Sequence, residues 1–200
     1  MTLPRLYAIV DVQRNADPVA FAEQLFAAGV RLLQLRDKET RPRVTLSVAR
    51  EIKRMAPKDA VLIMNDRADL CLAAGFHGVH VGQDDLSAEA ARRVCAEPLI
   101  VGVSTHNLEQ LREADAGPAD YIAFGPVFGT TSKQNPDPTV GLERLREARR
   151  LTKKPLVAIG GISRVNCGSV LDAGADSVAV ISDLCDEPQA AVKEFLRILR

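Results

Sequence analysis

Four cysteines, Cys71, Cys95, Cys167 and Cys185, are scattered along the chain with no CxxC or Cys/His spacing. Their placement indicates neither a thiolate zinc site nor a disulfide framework, so the thiols are expected to be reduced in a cytoplasmic protein. An excess of charge is missing too. Lys plus Arg and Asp plus Glu number 26 each, which leaves no global field to gather nucleic acid or an acidic membrane surface. No apolar run reaches the roughly 18 residues of a membrane helix. The opening Thr2-Leu3-Pro4-Arg5 lacks the basic and apolar regions of a secretory signal. No Pro/Gly/Ser-rich linker or low-complexity tract divides the 200 residues. What remains is a single domain, 1–200, able to bury one sizeable core, with small molecules as its partners.

What the chain has is alternation. Short apolar runs at 6–10, 32–35, 61–64, 78–81, 99–103, 121–124, 156–159 and 177–180 read as buried parallel strands. Helical segments are expected between them, among them 18–28, 42–54, 88–95, 108–114 and 142–151, with 188–199 after the last strand. Strict alternation gives a parallel sheet, and eight units in this length fit a compact α/β fold, a single (β/α)8 TIM barrel. A doubly wound open sheet is the alternative. It would want a glycine-rich turn after the first strand, and Asp11-Val12-Gln13-Arg14 offers none. Ala-Gly recurs at 28–29, 74–75, 116–117 and 173–174, each time placing Gly where a helix end favours a left-handed residue. The one long irregular stretch, 125–141, is expected to be a lid or a functional loop.

In a barrel the chemistry collects beyond the carboxyl ends of the strands. The third and fourth strands end in acid, at Asn65-Asp66 and at Gly82-Gln83-Asp84-Asp85. Few, hard oxygen donors suit Mg²⁺, which fills its shell with water and phosphate oxygens; alternatively each Asp caps the next helix. The second strand ends Gln34-Leu35-Arg36-Asp37-Lys38, and alternation sends Gln34, Arg36 and Lys38 to one side. Those cations either hold a polyanion or pair with Asp66 and Asp85. Ser104 is either a phosphate donor or a cap. His77 and His80 read as packing or surface residues, and His106 as closer to the rim. Thr130-Thr131-Ser132-Lys133 is a hydroxyl-rich loop with one cation, fit to close over phosphate or to remain a solvated turn. After the seventh strand Gly160-Gly161 lets backbone amides approach an anion closely, and Ile181-Ser182 adds to that site after the eighth.

Taken in order, Gln34 to Lys38, Asn65-Asp66, Gly78 to Asp85, Gly102 to His106, Gly125 to Phe128 with Thr130 to Lys133, and Ala158 to Ile162 resemble the thiamine phosphate synthase family over nearly the whole chain. The resemblance implies condensation of 4-amino-2-methyl-5-hydroxymethylpyrimidine diphosphate with a thiazole monophosphate, giving thiamine monophosphate and pyrophosphate. By position it puts Gln34 on the pyrimidine, Arg36 and Lys38 on the diphosphate, and Asn65 beside them. Asp66 and Asp85 would hold Mg²⁺. Ser104 and Lys133 would contact pyrophosphate; Thr130, Ser132, Gly161, Ile181 and Ser182 would contact the thiazole phosphate. The chain departs from the pattern at Gly129, where many such synthases have Pro. A thiazole tautomerase, which typically has His in place of Pro126, and a noncatalytic thiazole-phosphate-binding barrel are the alternatives.

Overall fold

The computed structural model describes residues 1–95, 99–130 and 137–200. Its strands are β1 (Leu6–Asp11), β2 (Leu32–Arg36), β3 (Val61–Asn65), β4 (Gly78–Val81), β5 (Ile100–Thr105), β6 (Tyr121–Phe124), β7 (Leu156–Ile159) and β8 (Ser177–Val180). All neighbours pair in parallel, and β1 closes the ring on β8 through Leu6↔Val178, Tyr7↔Ala179 and Ala8↔Val180. The (β/α)8 barrel follows, and closure leaves no strand edge exposed. The open sheet is excluded.

Around the ring lie α1 (Pro18–Ala27), α2 (Pro42–Met55), α3 (Ala68–Ala74), α4 (Ala88–Cys95), α5 (Leu108–Ala116), α6 (Gly141–Leu151), α7 (Cys167–Asp172) and α8 (Pro188–Ile198). Proline in the first turn begins α1, α2 and α8, where a missing N–H costs nothing. Each helix turns a narrow apolar stripe to the sheet; on α2 the buried residues are Thr45, Ala49 and Ile52. None of the described helices is long and apolar enough to cross a membrane.

Alternation along the strands divides the core in two. Ala8, Val10, Leu33, Leu35, Leu62, Met64, Val79 and Val101 face the helices. The other parity fills the barrel interior with Tyr7, Ile9, Leu32, Ile63, Tyr121, Ala123, Val157 and Ala179. That inward parity, carried past the carboxyl ends, sets which side chains reach the mouth. At the opposite end Asp120 accepts from the Val101 N–H at 2.7 Å and Asp176 from the Leu156 N–H at 2.8 Å, pinning strand starts in place.

Three of the four Ala-Gly endings behave as expected, with Gly29, Gly75 and Gly174 at positive φ. Gly117 does not; it is extended, at φ −85° and ψ −177°. Pro118 follows it, and proline pushes its predecessor out of helical and into extended conformations.

Candidate active site

A cavity of about 510 Å³ opens at the carboxyl end of the barrel. Gln34, Arg36, Lys38, Asn65, Asp66, Asp85, Ser104, Thr130, Gly161, Ile181 and Ser182 all line it. Ser132 and Lys133 lie outside the described residues. Of the long stretch 125–141, Gly125, Pro126, Thr130 and Asp137 also reach the cavity wall.

Asp66 and Asp85 come from neighbouring strands to one spot, and neither is a helix cap. The N-cap of α3 is Arg67, with no side-chain cap bond, and Ser87 Oγ accepts from the Ala90 N–H at the start of α4. Asp66 has a left-handed backbone, φ 60°, and its N–H donates to the His80 carbonyl at 2.7 Å. Burial, then a hydrogen bond donated to Asp85, pushes the Asp66 carboxyl up to about 6 against the pull of Lys38. Burial also opposes charge on Asp85, yet the bonds from Asp66 and from the Gly82 N–H, the latter 2.8 Å, hold its carboxyl below the usual range. Below about pH 6, then, the pair shares a proton, since close carboxylates resist ionising together.

The two cations at the carboxyl end of β2, Arg36 on the strand and Lys38 just past it, divide their partners. Lys38 pairs with Asp66. Arg36 pairs with neither Asp66 nor Asp85 but with Asp11, Nη1 to Oδ2 at 2.5 Å. The reason is register, because parallel pairing sets Asp11 directly opposite Arg36. Asp37, between the cations, faces the other way. It accepts from Thr45 Oγ1 at 2.6 Å, the Thr40 N–H at 3.0 Å and Gln13 Nε2 at 2.8 Å, bracing the turn that carries Lys38. Burial disfavours its charge, but these bonds outweigh burial and hold its carboxyl at about 2.

Beside the acidic pair, Asn65 Nδ2 is buried without a hydrogen-bond partner among the described residues. A buried donor left unmade costs about 1–3 kcal/mol, and on a cavity wall it is a donor waiting for a ligand oxygen. No cluster of three or more His, Cys, Asp or Glu that could hold a metal occurs among the described residues. The donor set is thus two carboxylates facing open volume, which fits Mg²⁺ better than a cation needing a closed protein shell.

Residues 6–184 match the model of the thiamine monophosphate synthase family. The chain belongs to that family. A thiamine-phosphate synthase from Koribacter versatilis is 59% identical over 205 residues, covering 100% of this chain and 97% of that protein. Another from Halalkalibacterium halodurans is 41% identical over 183 residues, covering 90% and 87%. Among solved structures, a thiamine phosphate pyrophosphorylase from Pyrococcus furiosus superposes with a TM-score of 0.89 at 32% identity, covering 98% of this chain and 95% of that one. Membership of the thiamine monophosphate synthase family makes this barrel a transferase of thiamine biosynthesis.

Across the mouth from the acidic pair lies the glycine turn of this family member. Gly160 and Gly161 have φ of 95° and 63°. A Cβ on Gly161 would come within 2.4 Å of the Gly129 carbonyl oxygen, and one on Gly160 within 2.3 Å of Pro126 Cβ. The chain after β7 can therefore pack against the 125–129 turn only as glycine, leaving backbone rather than side chains at that wall. Gly161 stays on the cavity surface, with Phe128 packed against its other side, where a Cβ would come within 2.8 Å of Phe128 Cβ.

Four residues that carry the site have no reading in the sequence as functional groups: Asp11, Tyr7, Tyr121 and His80. Asp11 follows the same rule that picks out Asp66 and Asp85, an acid ending an apolar strand. His80, expected to pack or lie at the surface, is buried and stacked on Tyr121, and it also bridges Tyr121 Oη and Ser104 Oγ inside the barrel, at 2.9 and 2.8 Å. Its parity with Asn65, which it faces in register, is the available signal. Ser104 sits on β5 and is no cap, since Asn107 caps α5. His77 accepts from the Leu62 N–H at 2.8 Å, away from the cavity. His106 is on the cavity wall, 2.7 Å from the Gly125 carbonyl oxygen.

Proposed function

We propose that the chain condenses 4-amino-2-methyl-5-hydroxymethylpyrimidine diphosphate with thiazole monophosphate, releasing pyrophosphate and forming thiamine monophosphate with Mg²⁺ bound at Asp66 and Asp85. The observation that carries this reading is the opposition of two different anion-binding walls in one cavity. On one side stand the carboxylate pair, Lys38, Arg36 and the unpaired Asn65 amide. On the other is the side-chain-free turn at Gly160-Gly161, with Ile181 and Ser182 beside it.

Carbon–oxygen ionisation at the pyrimidine methylene is the demanding step, because negative charge builds on the departing diphosphate while the electron-rich ring supports the cation. Mg²⁺ supplies positive charge to the diphosphate oxygens when bound. Arg36 and Lys38 contribute fixed positive charge to the same group, Asn65 Nδ2 donates to one of its oxygens, and Ser104 donates from β5. Gln34 holds the ring against the barrel interior. The glycine wall, with Ile181, Ser182 and Thr130, holds the thiazole phosphate so that the thiazole nitrogen faces the methylene carbon. The family resemblance assigns Lys133 to the pyrophosphate and Ser132 to the thiazole phosphate. No protein nucleophile takes part; the protein orients, neutralises and excludes water. We place the enzyme in the cytoplasm, a compartment suited to its four free thiols.

The test is Mg²⁺-dependent pyrophosphate release from the two substrates together. Product that appears with Mg²⁺ and disappears with chelator supports the reading. Absence of thiamine phosphate from a folded protein supplied with both substrates and Mg²⁺ would overturn it, leaving the tautomerase and the noncatalytic barrel.

A further inference from the structure

The barrel interior contains a polar thread in an otherwise apolar core. Gln34 Nε2 donates to Tyr7 Oη at 2.9 Å. The Tyr7 and Tyr121 hydroxyls are 2.9 Å apart, Tyr121 Oη is 2.9 Å from His80 Nδ1, and His80 Nε2 is 2.8 Å from Ser104 Oγ. Both ends, Gln34 and Ser104, line the cavity. The middle members are 1%, 0% and 6% exposed; Tyr7 and His80 border the cavity floor, and Tyr121 lies beneath it.

The thread is built into the backbone. Gly102 stands opposite His80 on one side and Tyr121 on the other. A Cβ there would lie 2.0 Å from Tyr121 Cζ and 2.4 Å from its hydroxyl. Glycine alone lets the phenol cross the barrel and stack on the imidazole, ring centres 5.5 Å apart and planes at 24°.

With the Gln34 amide nitrogen turned toward Tyr7, counting protons sets the direction of every other bond. The Gln34 amide nitrogen can only donate, so Tyr7 accepts from it and must send its own proton to Tyr121. Tyr121 then sends its proton to His80 Nδ1, which leaves the imidazole proton on Nε2, pointing at Ser104 Oγ. Ser104 accepts there and keeps its own proton for the cavity. The reverse direction ends in two donors facing each other at Tyr7 and Gln34. A doubly protonated ring fails as well, since Tyr7 would accept from both sides and its own buried proton would have no acceptor.

We propose that Tyr7, Tyr121 and His80 are positioning residues that lock the two cavity ends into complementary states, Gln34 with its carboxamide oxygen free to accept from the pyrimidine amino group and Ser104 with its hydroxyl proton free to donate to the diphosphate. One relay then serves both halves of the pyrimidine diphosphate, and each end polarises the other through the shared bonds. This rests on the proposed function for the identity of the ligand, but the direction of the relay does not.

Two measurements test it. In ¹⁵N-histidine-labelled protein, the ring signals lost in His80→Gln are expected to show the Nε2–H tautomer; the Nδ1–H tautomer or an imidazolium at neutral pH overturns the proposal. This arm needs no substrate, so it stands even where the condensation assay fails. In the second, Tyr121→Phe is expected to lower kcat/KM for the pyrimidine diphosphate on the order of 10-fold while KM for the thiazole phosphate is unchanged. Most of that loss should vanish in a Ser104→Ala background, because Tyr121 acts through Ser104. Additive losses, the signature of a merely structural role, overturn it. Should Tyr121→Phe fail to fold, Tyr7→Phe breaks the same relay one link earlier and is read by the same cycle.

Discussion

Asp11 Oδ2 meets Arg36 Nη1 at 2.5 Å where β1 and β2 end side by side, the carboxylate buried and the guanidinium partly open to the cavity. The arrangement aims a cation at the mouth by anchoring it from below. Removing one partner of a buried pair strands the other charge. Asp11→Asn is expected to lower unfolding free energy by about 3 kcal/mol, near the lower end of the usual 3–5 because Arg36 is partly solvated. Denaturant titration checks it, and a change below about 0.5 kcal/mol would show that the pair holds nothing in place.

The acidic pair predicts a metal effect with a pH signature. Asp85→Ala is expected to depress turnover on the order of 10²-fold or more with the fold intact, and Lys133→Ala likewise. With the Asp66 carboxyl at about 6, Mg²⁺ must displace its proton at pH 5.5, and finds it already gone at pH 7.5. Calorimetry in buffers of different ionisation enthalpy should record release of most of one proton at the lower pH and almost none at the higher. Equal release at both would refute the shared proton.

His80 predicts acid sensitivity. Burial draws its ring down to about 4, against the nearby charge of Asp85. The unfolded chain, with an ordinary value of 6.5, therefore binds the extra proton first, so this stability is fully present above about 6.5 and is lost as pH falls through about 4. Asp66 works in the opposite sense between 3.8 and about 6, where the folded state holds the proton. In cation-free Asp66→Asn protein the rise in Tm from pH 4 to 6.5 should be larger with His80 than with His80→Gln, because His77 is lowered in the same direction and contributes equally to both. An equal rise in the two would count against the neutral buried ring.

Two glycines predict different failures. Gly102→Ala sets a methyl against Tyr121 Cζ, which a phenylalanine there would not relieve, and overpacking of this kind costs about 1–3 kcal/mol; thermal unfolding reads it directly. Gly161→Ala combines a positive φ with the contact to the Gly129 oxygen. Its strain, on the order of 1–3 kcal/mol, falls on the turn that we propose holds the thiazole phosphate. KM for that substrate should rise at least several-fold while KM for the pyrimidine diphosphate stays within twofold. A rise in both would place Gly161 in general support of the barrel.

Much of this protein is written locally. Short apolar runs punctuated by Ala-Gly and by acid define eight strands and their carboxyl ends, because backbone pairing and side-chain alternation are short-range constraints that repeat. Gln34, Arg36 and Lys38 reach the cavity for that reason alone, and Asn65, Asp66 and Asp85 follow because their strands stop there. Gly117 shows the limit even at close range, where the next residue, Pro118, overrides the helix-end pattern.

Tertiary structure decided the partnerships. Whether Arg36 pairs with Asp11 or Asp85 depends on which strand lies beside β2 and in what register, and Asp11 is 25 residues away in sequence. The thread from Gln34 to Ser104 exists only because ring closure brings Tyr7 of β1 against Tyr121 of β6, 114 residues apart, over a glycine that clears the way. Hydrogen-bond direction and carboxylate sharing are properties of distances across the barrel, and the order of residues along a chain does not contain those distances.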